Sequence, residues 1–164
     1  MRITGVIQAG GRSTRMGGRP KALLELGGRR IIDRVAHVVR QVADDCLVVT
    51  NTPELYASLG LPMVPDVFPD GGSLGGIYSG LLAASGDSAF TVACDMPFLM
   101  PEVARLVTDR AGDADVIVPR TGSVAEGLRV DPEAIEQLLG HQPRVQRLHD
   151  LARQRIDLLD RPEP

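Results

Sequence analysis

The stretch "VIQAGGRSTRMGGRPKALL", residues 6–24, decides the fold. It starts apolar, stops at Gly10-Gly11 and ends in a second apolar run. Between the two lie four glycines, three arginines and one lysine. A short apolar run cut off by a glycine pair predicts a buried strand over residues 3–9 and a turn after it. The turn has two readings. It could be a tight strand-to-helix connection with a solvated basic surface. It could also be a phosphate cradle, because glycines let successive backbone N–H groups face one ligand, and Arg12, Arg15 and Lys21 would add charge-assisted donors. Two familiar phosphate motifs do not fit. No glycine pair leads into Lys-Ser or Lys-Thr, and the order Gly10-Gly11, five residues, Gly17-Gly18 is not G-x-G-x-x-G.

Outward from this loop the chain alternates between β-branched runs and helical periods. Residues 30–42 predict a helix, with Ile31, Val35, Val38, Val39 and Val42 at helical spacing. A strand over 46–50, a short helix over 53–59 and a short strand over 63–65 follow. The glycine-rich segment "DVFPDGGSLGG" covers 66–76. It leads into a helix over 74–84 that carries Leu74, Ile77, Leu81 and Leu82 on one face. The clearest buried strand, 88–94, ends at Asp95. A helix with proline in its first turn covers 101–110, and a strand 115–118. Beyond Arg120 the pattern weakens, with helices expected over 131–139 and 144–155.

Strands that are apolar nearly throughout, separated by helices, predict an α/β protein. The expected form is a three-layer, mainly parallel sheet with helices on both faces. Ligands of such sheets sit outside the carboxyl ends of the strands. Gly10, Asn51, Asp66 and Asp95 each follow one of the first four strands, so they are expected along one edge.

Composition narrows the function. A chain of 164 residues with 43% apolar and 24% charged residues fits one globular domain. A net charge of −3 argues against a general nucleic-acid binder, and three Phe, two Tyr and no Trp argue against a base-stacking platform. No apolar run approaches the ~20 residues of a membrane span, and no signal peptide is expected. Cys46 and Cys94 read as buried thiols of a reducing compartment, which predicts a cytoplasmic protein.

The segment "AGGRSTRMGGRPKALLELGGRRIIDRV", residues 9–35, resembles the signature A-[GA]-G-x-[ST]-x-R-[ML]-G…K of nucleotidyltransferases with a Rossmann-like fold. Within that superfamily it looks most like the molybdenum cofactor guanylyltransferases. "DVFPDGGSLGGIYSGLLAA" is similar to that family's Asp…Gly-x-Leu-x-Gly-Ile segment, and "VACDMPFL" to its Cys-Asp-x-Pro-Phe-Leu metal segment. The three motifs stand in order across roughly residues 3–120. The resemblance implies one nucleotidyltransferase domain over 1–164, with a nucleotide and metal part over 1–120 and a shortened acceptor part over 121–164.

The implied reaction transfers GMP from GTP to the phosphate of molybdopterin or the molybdenum cofactor and releases pyrophosphate, with Mg²⁺ as cofactor. Lys21 and Arg15 would hold phosphates, against the plainer readings of a surface lysine and a loop salt bridge. Asp95 would bind the metal and take part in catalysis, against a turn aspartate. Gln8, Ala9, Gly10, Gly11, Asn51 and Asp66 would join Lys21 and Asp95 in binding the nucleotide. Asp66 could instead form an Asx-turn, and Thr50 competes with Asn51. Ala9-Gly10-Gly11 matches the guanylyltransferase form of the motif, where cytidylyltransferases show Ala-Ala-Gly. Asp70 reads as turn chemistry, and His141 and His149 as surface residues.

Four features depart from the family pattern. Gln8 replaces a common Leu, and its amide could touch the base or the backbone. Pro20 precedes Lys21 where Asp is usual, as in the sugar-phosphate and methylerythritol enzymes. After "VIVPRTGSVAEGLRV" the expected aromatic segment is missing, and "IDLLDRPEP" replaces an Asn-rich segment. Two other readings therefore stand beside the first: a nucleotidyltransferase for a sugar or polyol phosphate, and a nucleotide-binding accessory protein without turnover. The oligomeric state is not readable.

Overall fold

A computed structural model describes residues 1–10, 20–68, 71–120 and 123–128. Gly11, Arg12 and Arg15, Asp70, the expected helices over 131–139 and 144–155, and His141 and His149 lie outside the described residues.

The centre is a four-stranded parallel sheet of β1 (Ile3–Gln8), β4 (Asp45–Val49), β5 (Met63–Val64) and β6 (Ser88–Ala93), in the order β5-β4-β1-β6. In register, Gln8 lies between Val49 and Ala93, and Val48 pairs with Met63. Alternation along β1 sends its side chains to two layers. Gly5, Ile7 and Ala9 face α1 (Ile31–Val39), whose Ile32, Val35, Ala36 and Val39 are buried among them. Thr4, Val6 and Gln8 face α2 (Gly72–Ala83). α3 (Pro101–Thr108) packs on α1, so helices cover both faces as the sequence predicts. Val6 and Ile7 are fully buried on opposite sides of one strand, each contributing about 2 kcal/mol of transfer free energy.

α2 crosses β1 in the opposite direction. Gly76 lies at Gln8, Gly80 at Val6, and the turn after the helix at Thr4, whose Oγ1 accepts from the Ser85 and Gly86 N–H groups. This corrects the expected helix face. The buried residues are Gly75, Gly76, Ser79 and Gly80, while Leu74 and Leu81 are 76% and 53% exposed. The small residues win because they let the helix backbone reach the sheet: a methyl at Gly80 would overlap Val6 Cγ1.

Smaller differences have local causes. The segment over 53–59 forms two 3-10 turns, Pro53–Leu55 and Ala57–Leu59, because Tyr56 and Leu59 are drawn into the core. The helix expected from 30 to 42 stops at Val39. Two antiparallel pairs were not evident in the pattern. The first is β2 (Glu25–Leu26) with β3 (Arg29–Arg30), closed by Gly27 and Gly28 at positive φ. The second is β7 (Val116–Arg120) with β8 (Ser123–Leu128). Two-residue strands are too short to show a period, and Gly127 weakens the apolar alternation of the last.

Candidate functional site

Because the four central strands are parallel, the residues that follow them emerge at one edge, as expected. The backbone ties that edge together: the Ala9 N–H donates to Val49 O at 2.8 Å, Cys94 N–H to Gln8 O at 3.0 Å, and Thr50 N–H to Val64 O at 2.9 Å. Gly10, Asn51, Asp66 and Asp95 therefore stand beyond the ends of β1, β4, β5 and β6.

Asn51 and Asp66 are joined, the Asp66 N–H donating to Asn51 Oδ1 at 2.9 Å. Thr50 is buried and its Oγ1 accepts from the Thr52 N–H, so Asn51 rather than Thr50 is exposed at the edge. Asp66 forms the Asx-turn that the sequence left open: its Oδ1 accepts from the Phe68 N–H at 2.9 Å. Its other oxygen, Oδ2, lies toward Gly10, 3.8 Å from where a methyl on that glycine would sit. One carboxylate oxygen thus fixes the loop and the other faces the first glycine of the loop after β1.

The residue missed in the sequence is Ser79. Its Oγ accepts from the Val67 N–H at 3.0 Å. It also lies 2.7 Å from Gly75 O and 3.2 Å from Asp66 Oδ1, sharing its one proton between two acceptors. The signal was there: a serine within a run of glycines on the face that meets the sheet.

Lys21 opens a 3-10 turn, Lys21–Leu23, and is itself exposed. The next residue, Ala22, is buried in the same apolar cluster as Ala9 and Val92, the ends of β1 and β6. Other cations nearby are committed. Arg30 forms a two-pronged ion pair with Asp33 at 2.7 Å and reaches Ser58 Oγ. Arg34 donates to Leu26 O and closes the β2–β3 hairpin. Among the described residues, the side chains of Lys21 and Asp95 have no hydrogen-bond or ion-pair partner, and both residues are exposed. No group of three or more metal-ligating side chains occurs among the described residues, so Asp95 would hold a metal with few protein ligands. A magnesium ion suits that arrangement, needing one or two carboxylates beside substrate phosphates and water.

Cys94 is inert by contrast. Burial, and then the Asp95 carboxylate, push its thiol up to about 11. Burial pushes the Tyr56 hydroxyl up to about 12. These groups pack beneath the edge as neutral side chains. No helix among the described residues is long and apolar enough to cross a membrane.

Comparison with known proteins gives the family and the fold. Residues 5–158 match the family model of the MobA-like NTP transferase domain. A molybdenum cofactor guanylyltransferase from Desulfosudis oleivorans is 42% identical over 149 residues, covering 87% of this chain and 73% of that protein. A probable molybdenum cofactor guanylyltransferase from Pelotomaculum thermopropionicum is 45% identical over 122 residues, covering 74% of this chain and 59% of its own length. This chain thus spans less than two-thirds of the second relative. A Methanothermobacter nucleotidyl transferase of known structure is 29% identical with a TM-score of 0.57, covering 66% of this chain and 57% of that one. The molybdopterin-guanine dinucleotide biosynthesis protein A of Archaeoglobus fulgidus, 23% identical, shares the fold with a TM-score of 0.56 over 77% of this chain and 65% of that one.

Proposed function

The chain belongs to the MobA-like NTP transferase domain family, and from that premise we propose that it transfers GMP from GTP to the terminal phosphate of molybdopterin or the molybdenum cofactor. An acceptor phosphate oxygen attacks the α-phosphorus of GTP. The bond to the β-phosphate breaks, and pyrophosphate leaves. The observation that carries this reading is the relative from Desulfosudis oleivorans, which this chain matches over 87% of its length.

The edge of the sheet supports the reading in chemical terms. Phosphoryl transfer asks the protein mainly for positioning and charge neutralisation. The unpaired Lys21 ammonium, with Arg15 from the loop after β1, is assigned to the phosphate oxygens. Asp95 is assigned to Mg²⁺, and Asp66 Oδ2 shares the edge with it. When bound, the ion neutralises charge on the triphosphate. Asn51, with Oδ1 held by the Asp66 N–H, keeps its NH₂ for a ribose hydroxyl. Ala9, Gly10 and Gly11 are assigned to the nucleotide by the motif they form. The two free cysteines support a reducing compartment, for which we propose the cytoplasm.

The test is incubation of the chain with GTP, Mg²⁺ and molybdopterin. The expected products are pyrophosphate and a guanine dinucleotide in equal amounts. Transfer from another nucleotide instead, or to a sugar phosphate but not to molybdopterin, overturns the proposal.

A further inference from the structure

The side chain of Gln8 leaves the last residue of β1 on the face that meets α2. It packs on Gly76, where an added methyl would come within 2.9 Å of Oε1. The sequence allowed the amide either the backbone or a base. Among the described residues the Gln8 amide has no hydrogen-bond partner, on the backbone or on a side chain, and the residue is only half-buried. On one side stands the edge with Gly10 and Asp66, on the other the first turns of α2. A primary amide holds one donor group and one acceptor in one plane. It is costly to wall in with both unmade, and no described group uses it.

We propose that Gln8 is a specificity-determining residue, its amide reading the hydrogen-bonding edge of the nucleobase. The inference rests on the nucleotidyltransferase reading and adds the means of base choice. On guanine the NH₂ donates to O6 and Oε1 accepts from N1–H. Gly76 keeps room for that amide, because any side chain there would displace it. A leucine at position 8 would fill the same space and offer no polar atom.

The experiment is calorimetric titration of the wild-type chain, Gln8→Leu and Gln8→Glu with GTP, ATP, CTP, UTP and pyrophosphate in Mg²⁺. Thermal unfolding of each variant confirms that it folds. In the wild type, GTP binds most tightly. Gln8→Leu weakens GTP by about tenfold, narrows its lead over the other three nucleotides by the same factor and leaves pyrophosphate unchanged. Gln8→Glu keeps GTP above ATP, because a carboxylate accepts from guanine N1–H and N2–H while adenine offers only its N6 amine. If Gln8→Leu retains the wild-type ratios of nucleotide affinities, the role of Gln8 is overturned whichever base leads. If the wild type prefers another base and Gln8→Leu loses that preference, guanylyl transfer falls while the role of Gln8 holds. A wild type without any preference, or without binding, overturns both.

Discussion

The two edges of the central sheet are built on opposite rules. At the amino edge, polar groups are tied to one another. The Arg2 N–H donates to Asp87 Oδ2 at 2.8 Å, the Ile3 N–H to Asp44 Oδ2 at 2.7 Å, and Arg2 Nη2 to Asp45 Oδ2 at 3.0 Å. Ser85 Oγ also donates to Asp45, and Thr4 Oγ1 accepts from the turn after α2. At the carboxyl edge, the Lys21 ammonium, the Asp95 carboxylate and the Gln8 amide have no hydrogen-bond or ion-pair partner among the described residues, and Asp66 spends only one of its two carboxylate oxygens on described partners. The first edge closes the fold, and the second leaves its charges unspent on described partners, as the proposed nucleotide site requires. Mutations should therefore separate stability from binding according to the edge they strike.

The largest expected effect is at Asp95. Asp95→Ala should lower the rate of GMP transfer by about a hundred- to a thousandfold, the scale of losing one charge-stabilising group. Its unfolding midpoint should stay near wild type, since no described contact is lost. Lys21→Ala should lower the rate by about a hundredfold, with the same silence in thermal unfolding, as read by pyrophosphate release against calorimetry.

The opposite result is expected at the amino edge. Asp45→Ala should lower the stability by about 1–2 kcal/mol, the scale of hydrogen bonds to a partly exposed carboxylate, and the midpoint by about 2–8 °C. It should leave the transfer rate unchanged. Hydrogen bonds from the Ser85 and Thr4 hydroxyls, and then Arg2, hold the Asp45 carboxyl below its ordinary value. A depressed folded value means that this contribution is complete above the unfolded value of about 4 and fades as pH falls through the folded one. The stability gap between wild type and Asp45→Asn should be constant from pH 7 to 5 and shrink below about pH 4, in urea titrations.

The smallest effect sharpens the comparison within the carboxyl edge. Asp66→Asn keeps an oxygen for the Phe68 N–H, so its stability should change by no more than about 0.5 kcal/mol. GTP affinity should still fall, because the Oδ2 charge facing Gly10 is gone.

The carboxyl edge was legible in the sequence because it depends on strand order and on single residues after each strand. Four apolar strands separated by helices require parallel pairing, and parallel pairing lines up Gly10, Asn51, Asp66 and Asp95 without any side-chain detail. The Asx-turn at Asp66 and the choice of Asn51 over Thr50 stayed open, because one residue of strand register decides them. The face of α2 was misleading for a different reason. Leucine spacing at Leu74, Ile77, Leu81 and Leu82 marks an apolar stripe, but a glycine-lined face approaches the sheet more closely than leucines can. Hydrophobic periodicity does not register that preference for close approach. Ser79 escaped notice in the same way: its role comes from the loop above it, brought near only by folding.

The measurement that tests this division most directly is the thermal midpoint of wild type, Asp95→Ala and Asp45→Ala, each with and without GTP and Mg²⁺. At GTP near a hundred times its dissociation constant, binding should stabilise the wild type by about 2.7 kcal/mol. Asp45→Ala should start lower and keep the full ligand-induced shift, whereas Asp95→Ala should start at the wild-type midpoint and show almost none. An Asp95→Ala protein that starts lower yet keeps the shift would contradict the account.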